Sequence, residues 1–172
     1  VVEQGFLLFP EGLSAANGSA GNIADGTYLY KAVYEWTDSN GNIHRSAPSP
    51  ALSHTVSSGP KEVDVTVPTL TMTRKDSNKN SKDNVSIALY RTVAGGSTVY
   101  YRISSFTAPD ENSTTADSIT ITDDIADASL TAREILYTSG GEFENIAPSS
   151  GRAMTTGDGR IYLSNTDREG EV

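Results

Sequence analysis

Residues 27–50 read Thr27-Tyr-Leu-Tyr-Lys-Ala-Val-Tyr-Glu-Trp-Thr-Asp-Ser-Asn-Gly-Asn-Ile-His-Arg-Ser-Ala-Pro-Ser-Pro50. Tyr28, Tyr30, Ala32, Tyr34 and Trp36 alternate with Leu29, Lys31, Val33 and Glu35. A period of two with aromatics on one face predicts a half-buried β-strand over 27–37. Asp38-Ser-Asn-Gly41 supplies a turn, with Gly41 suited to positive φ, and a hairpin partner follows near 42–46. Ser46-Ala-Pro-Ser-Pro50 then predicts an extended, edge-like run, because proline gives a sheet no backbone donor.

Outward from this stretch the same pattern returns. Residues 51–57 read as extended. In Lys61–Pro68, Val63, Val65 and Val67 alternate with Glu62, Asp64 and Thr66, which predicts a strand with three valines inward. Val85, Ile87 and Leu89 share one face of a strand over 85–92. Ala94-Gly-Gly-Ser97 turns it, and Val99–Ile103 returns as a second hairpin. Leu89-Tyr-Arg91 and Tyr100-Tyr-Arg102 share a local flavour, which cross-strand pairing explains better than duplication. Ser118–Thr122 is a short strand, and 124–136 predicts one or two helical turns. Ala153–Ser164 reads as two short strands around Gly157-Asp-Gly159, a hairpin with Ile161 and Leu163 on its one weakly apolar face.

The remaining segments read as irregular, apart from a short strand over 5–9 ended by Pro10. Residues 11–26 are small and polar with four glycines and predict a loop. Residues 69–83, 107–116 and 138–151 predict further loops. The fold class is therefore all-β, an immunoglobulin- or fibronectin-III-like β-sandwich with extended N- and C-terminal segments. Its expected divisions are 1–26, an N-terminal strand and loop; 27–123, the sandwich; and 124–172, a linker and the C-terminal hairpin of an incomplete β-rich body.

At 172 residues the chain is long enough to bury a core without covalent staples, and it has no cysteine. A hydrophobic fraction of 36% suits an all-β protein with many turns and one wet face per sheet. The formal charge of −9 gives a field that repels phosphate, so no direct nucleic-acid contact is expected. Arg74, Lys75, Lys79 and Lys82 form a basic patch within a polar loop, read as solvated. No long apolar run or signal-peptide pattern is present, so no membrane partner is expected. The chain opens on Val1, and is expected to be a piece of something longer.

Candidate chemistry is sparse. Asp38, Asn40 and Asn42 resemble the start of a calcium loop, but position 49 is Ser and the flanks are strands, so a hairpin turn is expected. Asp123, Asp124 and Asp127 offer oxygen donors, but aspartate also caps and turns chains, and a structural role is expected. His44 and His54 are expected to be exposed sheet residues. No Gly-x-Ser-x-Gly sequence occurs, and Gly18-Ser-Ala-Gly21 lacks the lysine and helix of a phosphate loop. No catalytic, metal-binding or cofactor-binding residue is assigned, and no cofactor is expected. The aromatic ladder of Tyr28, Tyr30, Tyr34 and Trp36 is read as sandwich core in preference to a sugar platform.

Gly26–Asp38 followed by Gly41–Pro50 resembles a segment of large virion proteins of tailed bacteriophages. Ala88-Leu-Tyr-Arg-Thr92, Tyr100-Tyr-Arg-Ile103, Ile119-Thr-Ile-Thr-Asp-Asp124, Glu134–Glu142, Asn145-Ile-Ala-Pro148 and Gly159–Ser164 fit the same picture. The resemblance spans roughly residues 5–165. It implies an immunoglobulin-like module of a tail or head–tail junction protein, located in the virion, with no catalytic residues to carry over. The implied partners are other virion proteins and copies of this chain. The alternative is a carbohydrate-binding or adhesin module whose partner is a host surface glycan. Such virion proteins continue where this chain stops.

The interface candidates are Phe6, Leu7, Leu8 and Phe9, an apolar run with no polar face, and Ile161 and Leu163 of the final hairpin. A hairpin alone is marginal in water. Both segments are therefore expected to contact other chains or further parts of the same protein.

Overall fold

The computed structural model describes residues 6, 8–37, 41–70, 85–113, 115–136, 151–157 and 160–166. Eleven strands and one helical turn are described in chain order: β1 (Ser14–Ile23), β2 (Gly26–Thr37), β3 (Ile43–Arg45), β4 (Leu52–Val56), β5 (Lys61–Pro68), β6 (Val85–Arg91), β7 (Tyr101–Arg102), β8 (Asp110–Glu111), β9 (Ser118–Asp123), α1 (Asp127–Leu130), β10 (Gly151–Gly157) and β11 (Arg160–Thr166). Two antiparallel sheets make a sandwich-like body. One has the order β1-β5-β9. The other is built on the pair β2–β6, with β3 and β4 along the free side of β2, and β7 and β8 along the free side of β6.

The expected core is present. Tyr30, Ala32, Tyr34, Val63, Val65, Val67, Ile87 and Leu89 all lie in one buried cluster between the sheets. The register explains why: Tyr30, Ala32, Tyr34 and Trp36 of β2 stand opposite Arg91, Leu89, Ile87 and Val85 of β6. Side chains opposite one another in an antiparallel pair share a face, so the inward phase of one strand fixes that of the other. The two Tyr-Arg motifs are cross-strand partners as expected, Tyr90 opposite Arg102 and Arg91 opposite Tyr101.

Both outer strands of the β2–β6 sheet are interrupted, and hydroxyl side chains bridge the gaps. Between β3 and β4, Ser46 and Ser49 donate their N–H groups to the carbonyls of Tyr34 and Ala32, each at 2.9 Å. Their Oγ atoms accept from the N–H groups of Tyr34 (2.9 Å) and Ala32 (3.0 Å). The Ser-Ala-Pro-Ser-Pro run thus keeps its pairing with β2 while its two prolines add no donor. Between β7 and β8, Leu89 N–H donates to Ser104 Oγ at 3.1 Å in the same way. Each such bond satisfies a buried donor that would otherwise lose its water without compensation.

Four expectations are corrected. Residues 14–23 form β1, a ten-residue strand in place of the expected loop. Only Ile23 of β1 is buried, so its sequence carries little apolar period. Its glycines allow close approach: a Cβ at Gly21 would fall on the Glu62 backbone nitrogen and the Asp124 carboxylate. Second, the described residues of 5–9 are not strand; Phe6 instead inserts singly into the core. Third, the expected loop 107–116 contains the two-residue β8.

Fourth, the outer face of β2 is not wet. Val33, Ala88, Tyr90, Tyr100 and Leu136 form a second buried cluster there, and every residue of β6 is buried. The single-turn α1 agrees with the expected short helical stretch. At the other end of the chain, β10 and β11 pair as a hairpin, as expected. Gly41 has φ +84°, the conformation expected of it. The loop core around Met72, the basic patch 74–82 and Asp38–Asn40 lie outside the described residues.

Candidate functional site: two ion-pair clusters and a docked strap

Continuing the inward phase of β6 past Val85, Ile87 and Leu89 brings Arg91 into the space between the sheets, where its side chain is fully buried. Asp123, at the end of β9 and equally buried, places Oδ2 2.7 Å from Arg91 Nε, though off the N–H axis. Arg91 Nη1 donates to Asp127 Oδ1 at 2.7 Å and Nη2 to the Ile125 carbonyl at 2.5 Å. Its guanidinium carbon lies 4.7 Å from the Tyr28 ring centroid, within cation–π range. Tyr30 OH donates to Asp123 Oδ2 at 3.1 Å, and the Ile125 N–H to Oδ1 at 3.1 Å. Arg91 thus ties the chain after β9 to the centre of the body.

Burial pushes the Asp123 carboxyl above its ordinary value, because the opposing Arg91 charge is shared with Asp127 and a carbonyl. Tyr30 is also raised, by burial first and then by Asp123. Tyr34, whose OH donates to the Pro68 carbonyl, is pushed up to about 12 by burial.

The second cluster occupies the outer face of the β2–β6 sheet. Glu35 Oε1 accepts from Arg45 Nε at 2.6 Å and from Arg102 Nη1 at 2.7 Å; its Oε2 accepts from Arg102 Nη2 at 2.6 Å. Glu134 adds Oε1 to Arg45 Nη2 at 2.8 Å and Oε2 to Arg102 Nη1 at 3.3 Å. Arg102 Nε donates to the Ser104 carbonyl at 3.0 Å, and the exposed Phe106 ring lies 3.9 Å from the guanidinium carbon. Burial alone would raise Glu35, but hydrogen bonds and charge from Arg102 and Arg45 hold its carboxyl below the ordinary value.

The strap Thr131–Leu136 runs antiparallel beside β7 at the edge of this sheet. Arg102 N–H donates to the Glu134 carbonyl and Leu136 N–H to the Tyr100 carbonyl, both at 2.8 Å. Between them Tyr101 and Ile135 stand opposite each other. Leu136 is buried against the cluster of Val33, Ala88, Tyr90 and Tyr100. The cross-strand pairing of the two Tyr-Arg motifs is as expected, but neither ion-pair cluster nor the strap follows from the sequence pattern. The signals that bear on the clusters are Glu35 in phase with Val33, Arg91 in phase with Leu89, and arginines following tyrosines on paired strands.

The sequence candidates are distributed as follows. Phe6 packs in the chain's own core, 6.2 Å from the Tyr34 ring. Leu8 is exposed and Phe9 half-buried; both border an open cleft of about 250 Å³ with Glu11, Tyr34, Pro68, Thr69 and Leu70. Leu7 lies outside the described residues. Ile161 and Leu163 stand opposite Thr156 and Met154 in the β10–β11 hairpin.

Asp123 and Asp127 both face Arg91, whereas Asp124 binds the backbone and side-chain amides of Asn22 at 2.6 and 2.8 Å. Among the described residues no group of three His, Asp or Glu side chains is arranged to hold a metal ion, and no helix is long and apolar enough to cross a membrane. His44 and His54 are half-buried, not exposed as expected. His44 lies against Trp36, and His54 Nε2 is 2.9 Å from Asn17 Oδ1, linking β4 to β1. Gly18-Ser-Ala-Gly21 is part of β1. The chain matches no protein-family model, no curated protein and no solved structure.

Proposed function

We propose that the chain is a non-enzymatic structural module of a tailed-bacteriophage particle, an immunoglobulin- or fibronectin-III-like sandwich that works through protein–protein contacts in a tail, neck or decoration assembly. The sequence resemblance of residues 26–50 supports the virion assignment. The observation that carries the scaffold role is the use made of the aromatic strand: Tyr28, Tyr30 and Tyr34 are buried as core, and Trp36, half-buried, packs against His44. The immunoglobulin-like part is supported by strand order. In such sandwiches a central C–F pair faces a B–E pair, as β2–β6 faces β1–β5 here. One departure is β9, which lies beside β5 where an immunoglobulin D strand would lie, although it comes last of the sandwich strands in the chain.

Antibodies raised against the chain provide the test. Immunogold microscopy and mass measurement of particles from a phage encoding the sequence should find it in a large symmetric assembly. Recovery only as a free monomer would overturn the proposal. The carbohydrate-binding alternative draws support from Phe106, an exposed ring over Arg102. A glycan array on which Phe106→Ala abolishes retention would favour that alternative.

A further inference from the structure

The strap fills a groove with three recognition elements. Arg45 and Arg102 receive the Glu134 carboxylate, the apolar cluster receives Leu136, and the Arg102 N–H with the Tyr100 carbonyl forms two backbone hydrogen bonds. The groove therefore reads a Glu-x-Leu segment in extended conformation, the mode of a strand added to a sheet edge. What fits the groove is defined by the chain itself, and every copy of the chain carries that segment. Residues 131–133, the first half of the strap after α1, are exposed, with the Arg133 guanidinium donating to the Ile103 carbonyl at 2.7 Å. The preceding anchors, Leu130 and the Asp127–Arg91 pair, hold α1 to the body independently of the strap.

We propose that this groove is an interaction surface between copies of the chain, and that Glu134-Ile135-Leu136 of one copy docks in the groove of the next. Each groove–segment contact is the same in the closed and exchanged forms. Exchange therefore costs mainly the tether, which makes the swap of an identical element a low-cost route to assembly. The occupant is a second copy because the charge, spacing and apolar anchor that the groove accepts are those of this segment. The inference deepens the contact reading above, yet it fails separately, since particle labelling does not depend on strap exchange.

Tyr101 and Ile135 make a cross-link test direct. They form the pair flanked by, and not joined by, the two backbone hydrogen bonds, where opposed side chains come closest. The chain has no cysteine of its own. Full-length chains carrying Tyr101→Cys alone and Ile135→Cys alone are refolded together and oxidised. A disulfide-linked pair of one chain of each kind is the expected result, with the double variant closing within one chain as the control. Absence of the mixed pair while that control closes overturns the inference.

A second measurement decides the matter if the control does not close. A fluorescent Thr131–Leu136 peptide should bind the full-length Leu136→Ala chain, whose own strap is weakened. The same peptide should bind about threefold to fivefold more weakly with Glu134→Gln, whose carboxylate is partly exposed, and at least about tenfold more weakly with Leu136→Ala, which loses the apolar anchor. Equal binding of all three peptides, or none by any, overturns the inference.

Discussion

Arg91 and Arg102 follow tyrosines on paired strands, and both sit in ion-pair clusters, yet their settings are opposite. Arg91 lies between the sheets against a fully buried Asp123. Arg102 lies on the outer face, where Glu35 retains 7% side-chain exposure and Glu134 retains 30%. Asp123 faces one guanidinium that is shared with other acceptors, whereas Glu35 receives three bonds from two guanidiniums. Hence burial wins at Asp123 and donors win at Glu35, and the two carboxyls move in opposite directions. Ion pairing alone does not set the sign of a carboxyl shift; the balance of desolvation against charge and hydrogen bonds from the donors does.

Arg91 is where the two clusters should differ most. Arg91→Ala strands a buried carboxylate and should cost about 3–5 kcal/mol in urea unfolding, whereas joint replacement by Arg91→Met and Asp123→Leu should recover most of that loss. A single-variant cost below about 1 kcal/mol would show that Asp123 is already neutral in the native state. Arg102→Ala leaves Arg45 in contact with Glu35, and a smaller cost of about 1.5–3 kcal/mol is expected by the same measurement.

Acid titration sharpens the difference further. Glu35 is below its ordinary value of 4.5 in the folded chain, so its stabilising contribution is present above that pH and fades as pH falls through the lowered folded value. Asp123 is above its ordinary value of 3.8, so its contribution is fullest below that pH and fades as pH rises through the raised folded value. Glu35→Gln should flatten the acid loss of stability, and Asp123→Asn should steepen it. Parallel shifts of the two variants would contradict the opposition.

The smallest effect belongs to the strap. Glu134→Gln should cost at most about 1 kcal/mol, because its carboxylate is partly exposed, and the cost should shrink in high salt. A salt-independent loss would place Glu134 with the buried cluster instead.

Legibility in the sequence followed burial. β2, β5 and β6 were readable because one face of each is continuously apolar, and Val63, Val65 and Val67 fell where their alternation put them. β1 was not readable, because a strand with one buried residue has no hydrophobic period, and its glycines serve close approach to β5. The two clusters were half legible. Phase placed Arg91 inward and Glu35 outward, but whether outward meant wet depended on a strap that returns about a hundred residues later, at Glu134.

Strand periods, turns and the inward phase of the aromatic ladder are local properties of the chain, legible because they follow from near neighbours in sequence. The tertiary structure alone decided which charged residues lose their water, since desolvation depends on what packs over them. It also decided that the Ser46 and Ser49 hydroxyls complete the β2 ladder and that Leu136 covers the outer face of the sheet. Those contacts join segments whose separation along the chain leaves no local pattern to read.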